Sequence, residues 1–413
     1  MAIVCVQAIN FLVPLLALPH IARSLGVQQF GIYMTLLSYS NYVLLVSDFS
    51  FNVNGPLLVA RAKSEGGLRQ LAIDTTALKS ALLIPTLMAF AIASYVVTDH
   101  NWLYVIAAAM LPVTTSLTPR WIIYSIGQIY AFAGISALSK GIWIGLIYLL
   151  VRNSGDVGLI LTLTAVTQLL ALIACSVLVW QQGGAGSWPS AFRVLRIFRS
   201  DSKQFAALIA TASLRDLGIV MLSVTSGAVH VSIYALADRV RFAIMGVVAP
   251  VSQALFLVTA RHSLNGGIQQ RVRGVVNLAV IIAAAICGLA TFAFAAEIVE
   301  ILGGSAFSDS ARVLRIVAFT PAFSAVSSVF GVNTLLAEGL SKEYASVQFI
   351  CAMVAGPLLL ALTFLFGGTG TATGILLAEI LWAALLGYAC HRHKVIAKAF
   401  SVLGAESSPS LVS

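Results

Sequence analysis

Ala60-Arg61-x4-Gly66-Gly67-Leu68-x-Gln70 returns as Ala260-Arg261-x4-Gly266-Gly267-Ile268-x-Gln270, about 200 residues further on, the mark of an internal repeat. A second pair keeps nearly the same offset: Gly26-x4-Gly31-Ile32-Tyr33 is answered by Gly227-x4-Ser232-Ile233-Tyr234. Both pairs stand at the ends of long apolar blocks. Two matches in one order at nearly one spacing point to two similar membrane-embedded halves, a plan on which many transporters are built.

The composition agrees. The chain has 413 residues, of which 59% are hydrophobic and 9% charged. A soluble protein carries about a quarter charged residues, so most of this surface faces something other than water. Apolar runs of about eighteen residues or more recur from end to end, each long enough to cross a hydrocarbon core of roughly 30 Å as a helix. They lack the alternation of a transmembrane β-strand. The fold class expected is an all-α polytopic membrane protein. The net charge of +9 does not indicate nucleic-acid binding, because the basic residues lie in short clusters between apolar blocks and form no basic face. The cysteines (Cys5, Cys175, Cys287, Cys351, Cys390) fall in apolar stretches without CxxC spacing and read as small hydrophobes. No cofactor or metal site is indicated, and no Walker box provides for ATP hydrolysis.

About twelve spans are expected, near 2–19, 30–49, 76–97, 102–123, 128–150, 157–180, 205–225, 231–258, 275–296, 313–336, 344–366 and 369–390. The first reads as an uncleaved span, since no basic lead-in of a signal peptide precedes it. With the N-terminus inside, the cytoplasmic connections hold Arg61, Lys63, Arg69, Lys79, Arg120, Arg193, Arg196, Arg199, Lys203, Arg261, Arg271, Arg273 and Lys342, and the tail adds Arg392, Lys394 and Lys398. The other face holds Arg23, Arg152, Arg312 and Arg315. The positive-inside rule then places both termini in the cytoplasm. The connection 181–204 contains Gly183-Gly184-Ala185-Gly186-Ser187 and a basic amphipathic stretch around Phe192–Arg199. It reads either as a linker helix on an anionic leaflet or as an ordinary loop. It divides the chain into an N-terminal lobe with linker, 1–204, and a C-terminal lobe with a short basic tail, 205–413.

Pro19-His20-Ile21-Ala22-Arg23-Ser24-Leu25-Gly26 with Phe30-Gly31-Ile32-Tyr33 resembles the opening of the bacterial Wzx-type polysaccharide and O-antigen flippases. Ile233 to Val240 (Ile-Tyr-Ala-Leu-Ala-Asp-Arg-Val) looks like that family's eighth span, and Val313-Leu314-Arg315-Ile316 with Pro321 is similar to its tenth. The resemblance runs through essentially the whole chain in order. It implies the fold of the multidrug/oligosaccharidyl-lipid/polysaccharide exporter superfamily, two pseudo-symmetric six-helix bundles around a central cavity. It also implies an undecaprenyl-pyrophosphate-linked oligosaccharide as substrate, moved between leaflets of the bacterial inner membrane for surface polysaccharide assembly. Coupling to H⁺ or Na⁺ is implied as well, and a polysaccharide polymerase and chain-length regulator are the partners such a system would employ.

Charges within apolar spans are costly and need a partner or a wet cavity. Here they are Asp48, Lys140, Arg215, Asp216, Asp238, Arg239, Arg241 and Glu379, with Arg23 capping the first span. A pyrophosphate needs ammonium or guanidinium groups along its path, so Arg23, Lys140, Arg215 and Arg239 are the expected substrate-binding residues. The family resemblance supports Arg23 and Lys140. Asp216, Asp238 and Glu379 are the expected ion-coupling carboxylates. The competing structural reading pairs charges across helices, for instance Arg215 with Asp238, because neighbours in sequence point about 100° apart on a helix. In that reading Arg241 faces elsewhere, towards the lobe interface, and Asp48 is a wet span end. Asn41, Asn52, Gln128, Gln168 and Trp121 are either sugar contacts or helix–helix glue. Gly141-Ile142-Trp143-Ile144-Gly145 reads as a close-packing motif, and Gly368 to Gly374 as a turn rather than a phosphate loop. Two other functions stay open: a drug or metabolite antiporter of the same superfamily, and a membrane polymerase or ligase. Against an enzyme, the longest outer connection, near 297–312, is short and acidic.

Overall fold

The computed structural model describes residues 2–64, 67–182, 186–212, 214–261 and 268–400; at some of these, Arg61, Arg215 and Arg261 among them, the backbone alone is described. Every regular element among the described residues is helical: α1 Ala2–Ser47, α2 Phe51–Ser64, α3 Leu68–Val97, α4 Trp102–Leu117, α5 Arg120–Ser125, α6 Ile129–Leu150, α7 Val157–Trp180, α8 Ala191–Ala212, α9 Leu214–Thr225, α10 Gly227–Arg261, α11 Ile268–Ala293, α12 Ala295–Gly303, α13 Ser310–Val317, α14 Thr320–Phe330, α15 Ser341–Arg392 and α16 Ile396–Ala399.

Several crossings are joined with almost no loop. α1 holds two of them, turned at Gly26 (φ 69°), and α15 holds two more, turned at Gly367 (φ 58°). At Gly227 the corner between α9 and α10 has φ 78°. A left-handed backbone at these points favours glycine, and Gly26 and Gly227 are the leading residues of the second repeated motif. The repeat therefore encodes equivalent corners into equivalent helices. The expected seventh span is divided between α8 and α9, and the tenth between α13, α14 and a π-helical turn at Gly331–Leu336. Among the described residues eight helices are long and apolar enough to cross a bilayer, and two of these, α1 and α15, are each turned at a glycine into two.

The first and second halves of the chain pack together along α1 and α10. A Cβ on Gly31 would fall on the carbonyl of Ala228, so the small residue lets the two backbones approach. Phe30 stands edge-on to Phe307 at 5.6 Å. These residues belong to one buried cluster with Leu25, Leu36, Val231 and Tyr234. A second cluster, centred on Phe49, Phe51, Leu68 and Trp121, lies inside the N-terminal lobe. The GxxxG of α6 is not used for packing: Gly141 and Gly145 have open space where a Cβ would stand.

Asp48 is not a wet end. It sits in the break between α1 and α2, 7% exposed. Lys79 Nζ of α3 donates to its Oδ1 at 2.8 Å and to the Ser116 carbonyl at 2.7 Å, and Arg120 of α5 pairs with its Oδ2. Lys79, expected as a loop charge, is 4% exposed. The break interrupts the helix where a carboxylate can gather two cations, and burial then makes that pairing obligatory. Phe49, left-handed at φ 53°, turns to the other side and meets Phe198 and Phe205 of α8 at 5.4 and 4.4 Å. In the C-terminal lobe Arg273 pairs with Glu338 at 3.6 Å and donates to the Asn333 carbonyl. Asn277 ties Asn333 and the Ala399 carbonyl together.

Candidate functional site

The first half of the second crossing carries the cross-lobe polar contacts. Passing along α1 from its corner, Met34 Sδ receives Arg239 Nη2 at 3.5 Å. Ser38 Oγ and Asn41 Nδ2 donate to the Asp216 carboxylate at 3.4 and 3.3 Å. Tyr39 shares a hydrogen bond with Ser223 at 3.0 Å. Positions 34, 38 and 41 are four and three residues apart, so one face of α1 presents them all. Asp216 and Arg239, one on α9 and one on α10, are thereby brought to the same lobe interface. Arg215 precedes Asp216 in α9, but its side chain lies outside the described residues.

Behind this interface the C-terminal lobe holds a separate buried group. Asp238, 4% exposed, accepts from Arg241 Nε at 2.7 Å and from the Tyr234 hydroxyl at 3.3 Å. Arg241 is 5% exposed, and Glu379 of α15 lies near enough to feel its charge. Asp238 pairs with Arg241, three residues on along the same helix face; the expected pairing with Arg215 falls on a side chain outside the described residues. One expectation is corrected here. Arg241 accordingly points into the lobe.

Arg23 lies at the corner end of α1 and reaches across to α12. Its Nη2 donates to the carbonyls of Glu300 and Ile301 at 3.0 and 2.7 Å, the unsatisfied end of a short helix. Lys140 stands apart, half-buried on α6. Among the described residues no carboxylate lies within ion-pair distance of Lys140 or Arg239. The expected residues thus fall into four places: Asp216 and Arg239 at the interface, Asp238 and Glu379 around Arg241, Arg23 at the corner, and Lys140 alone. No cluster of His, Cys, Asp or Glu suited to a metal occurs among the described residues.

The polar residues weighed as sugar contacts hold helices together in several cases. Gln168 accepts from Thr114 and Thr115 at 3.0 and 2.8 Å, and Asn52 donates to Asp48 at 3.3 Å. Trp121, 4% exposed, stacks on Phe51 and fills the space above Gly55. Sequence reasoning missed the Asp48–Lys79–Arg120 group and the role of Gln70 in the repeat. Gln70 accepts from the Ser187 backbone at 2.6 Å and donates to Asp74, which Arg193 pairs at 2.8 Å. These contacts fasten the connection between the lobes onto α3. The cue was available: a carboxylate at 74 facing a basic cluster near 193.

Comparison with known proteins follows this geometry. The sequence pattern of the family described as "Polysaccharide biosynthesis protein" matches residues 1–262. A protein of Escherichia coli (strain K12) named "Putative O-antigen transporter" is 25% identical over 397 residues, covering 92% of this chain and 93% of its own. Among solved structures, the lipid II flippase MurJ in an inward closed conformation superposes with a TM-score of 0.74 at 11% identity, over 95% of this chain and 89% of MurJ. An inward-facing multidrug resistance MATE family transporter of the MOP superfamily gives 0.66 at 12% identity, over 98% and 100%. These likenesses establish the all-α polytopic membrane fold expected from the sequence.

Proposed function

Since this chain belongs to the polysaccharide biosynthesis protein family, we propose that it is a transporter, not an enzyme, which moves an undecaprenyl-pyrophosphate-linked oligosaccharide repeat unit across the bacterial inner membrane. The observation that carries this reading is the pair of cations in apolar spans, Lys140 and Arg239, with which no carboxylate pairs among the described residues. A half-buried cation in an apolar span without a counter-charge is costly, and a pyrophosphate supplies the missing anion. Arg239 stands between the lobes, where a group passing from one leaflet to the other would meet it. Lys140 on α6, Arg215 on α9 and Arg23 at the corner end are the further cations of this proposed path. A drug antiporter of cationic substrates would gain nothing from such charges.

Alternating access needs lobe contacts that form and break. Asp216, held by Ser38 and Asn41 of the opposite lobe, is the carboxylate best placed to report an ion's arrival to that interface. Asp238 and Glu379, sharing Arg241, form the second candidate ion-coupling group. H⁺ and Na⁺ both suit carboxylates of this kind. Both termini are cytoplasmic in this reading, and the delivered repeat unit is handed to a polymerase and chain-length regulator.

The test is complementation of a deletion strain, read as surface polysaccharide and as accumulated lipid-linked repeat units. Lys140→Gln and Arg239→Gln are each expected to lower export by about tenfold or more, the scale of one lost charge-assisted contact, while Arg239→Lys retains part of it. Full complementation by both Gln variants at normal expression would overturn the cationic path. Unchanged polysaccharide in the deletion strain would overturn the function.

A further inference from the structure

The connection between the lobes presents a face that transport does not explain. The linker is fixed on one side: Arg193 pairs with Asp74, Ser187 bonds Gln70, and Gly186 packs against Ile73. Along the first turns of α8, Val194, Ile197 and Phe198 pack on the cluster around Phe49 and Leu68. Helical periodicity then sends Phe192, Arg196 and Arg199 outward. Phe192 is 67% exposed and Trp188 92% exposed, with the Arg196 guanidinium 4.8 Å above the Phe192 ring.

The same rim includes the end of α7 and the start of α3. Arg69 lies 3.8 Å over the Trp180 ring, and its Nε is buried with no hydrogen-bond partner. Among the described residues no carboxylate pairs with Arg69, Arg196 or Arg199. Beneath Trp180 an apolar groove of about 450 Å³ runs along α7, lined by Leu172, Ile173 and Val177. Unpaired guanidinium groups, exposed aromatic rings and an apolar groove share one rim. Water alone would leave the rings exposed, and a soluble partner would not account for the groove on a lipid-facing helix.

We propose that this rim is a binding site for an anionic phospholipid of the surrounding bilayer. Its acyl chain lies in the α7 groove, its phosphate meets Arg69, Arg196 and Arg199, and Trp188 and Phe192 seat α8 at the headgroup level, where amphipathic rings settle. The site is independent of the transported substrate. It gives the lobe connection a lipid-dependent anchor, because α8 touches the span-two break through Phe49.

Native mass spectrometry of the full-length protein, extracted from bilayers of phosphatidylcholine and phosphatidylglycerol, tests this directly. Retained phosphatidylglycerol is expected in the wild type, with affinity falling about fivefold for each arginine neutralised among Arg69→Gln, Arg196→Gln and Arg199→Gln. The Arg69→Lys/Arg196→Lys/Arg199→Lys variant keeps the charge, and is expected to keep most of the lipid if the Gln variants misfold. Raised salt lowers retention. Equal retention of phosphatidylcholine, or unchanged phosphatidylglycerol in the triple Gln variant, overturns the proposal. So does exclusive retention of added undecaprenyl phosphate, which would assign the rim to the transported lipid instead.

Discussion

Removing the ammonium of Lys79 tests whether the break in the second crossing is held electrostatically. Lys79→Met keeps most of the stem and deletes two charge-assisted hydrogen bonds, to Asp48 Oδ1 at 2.8 Å and to the Ser116 carbonyl at 2.7 Å. Asp48 keeps Arg120 and Asn52 on its other oxygen. Breaking a buried pair costs about 3–5 kcal/mol; with Arg120 still in place, the low end, about 3 kcal/mol, is expected. Asp48→Asn leaves both cations without a carboxylate and is expected to cost at least as much. The double variant tells whether the two act together: a coupling of about 1–3 kcal/mol is expected between residues in one network. Reversible unfolding of the purified protein in mixed micelles, titrated with sodium dodecyl sulfate, gives all three values. A Lys79→Met loss below about 0.5 kcal/mol, or single costs that add within about 0.5 kcal/mol, would refute the argument that burial makes this group cooperative.

Other consequences are open to measurement. Gly31→Leu places a side chain on the Ala228 carbonyl and is expected to destabilise the folded protein by about 1–3 kcal/mol through overpacking, and to weaken disulfide trapping between cysteines introduced into α1 and α10. Arg23→Ala removes the cap from the carbonyls of Glu300 and Ile301, an exposed interaction expected to contribute about 1 kcal/mol; hydrogen exchange in α12 should quicken. Gly145→Ala, where the space is open, should change stability by less than about 1 kcal/mol, and a larger loss would show that the motif packs after all. Trp121→Ala, which empties the stack on Phe51, should cost about 3–5 kcal/mol.

The crossings were legible because a bilayer demands long apolar stretches, and nothing else in the chain has that character. The corners were legible too, since Gly26 and Gly227 carry the same backbone demand at equivalent points. What sequence could not assign was the partner of each charge. Asp238 has Arg239 beside it and Arg241 three residues on; helical geometry selects Arg241, yet only the packing of α10 against α14 and α15 decides which way that face turns. Lys79 and Arg120 looked like loop charges because both lie near expected span ends. The carboxylate that draws them inward is remote in sequence and becomes available only where the second crossing breaks. The distinction between interface and lobe interior, which separates Asp216 from Asp238 and Glu379, likewise depends on tertiary packing.

The glycine corners also bear on how the chain enters the membrane. Gly26 joins its two helices without an intervening loop, which favours entry of the two crossings together as a hairpin. Between Pro19 and Tyr33 the single charge that this hairpin carries to the far face is Arg23. Its acceptors, the carbonyls of Glu300 and Ile301, are synthesised more than half a chain later. Until then that guanidinium has only headgroups and water to answer it. Biogenesis, rather than the finished fold, is therefore where a second charge added near Gly26 would first be felt.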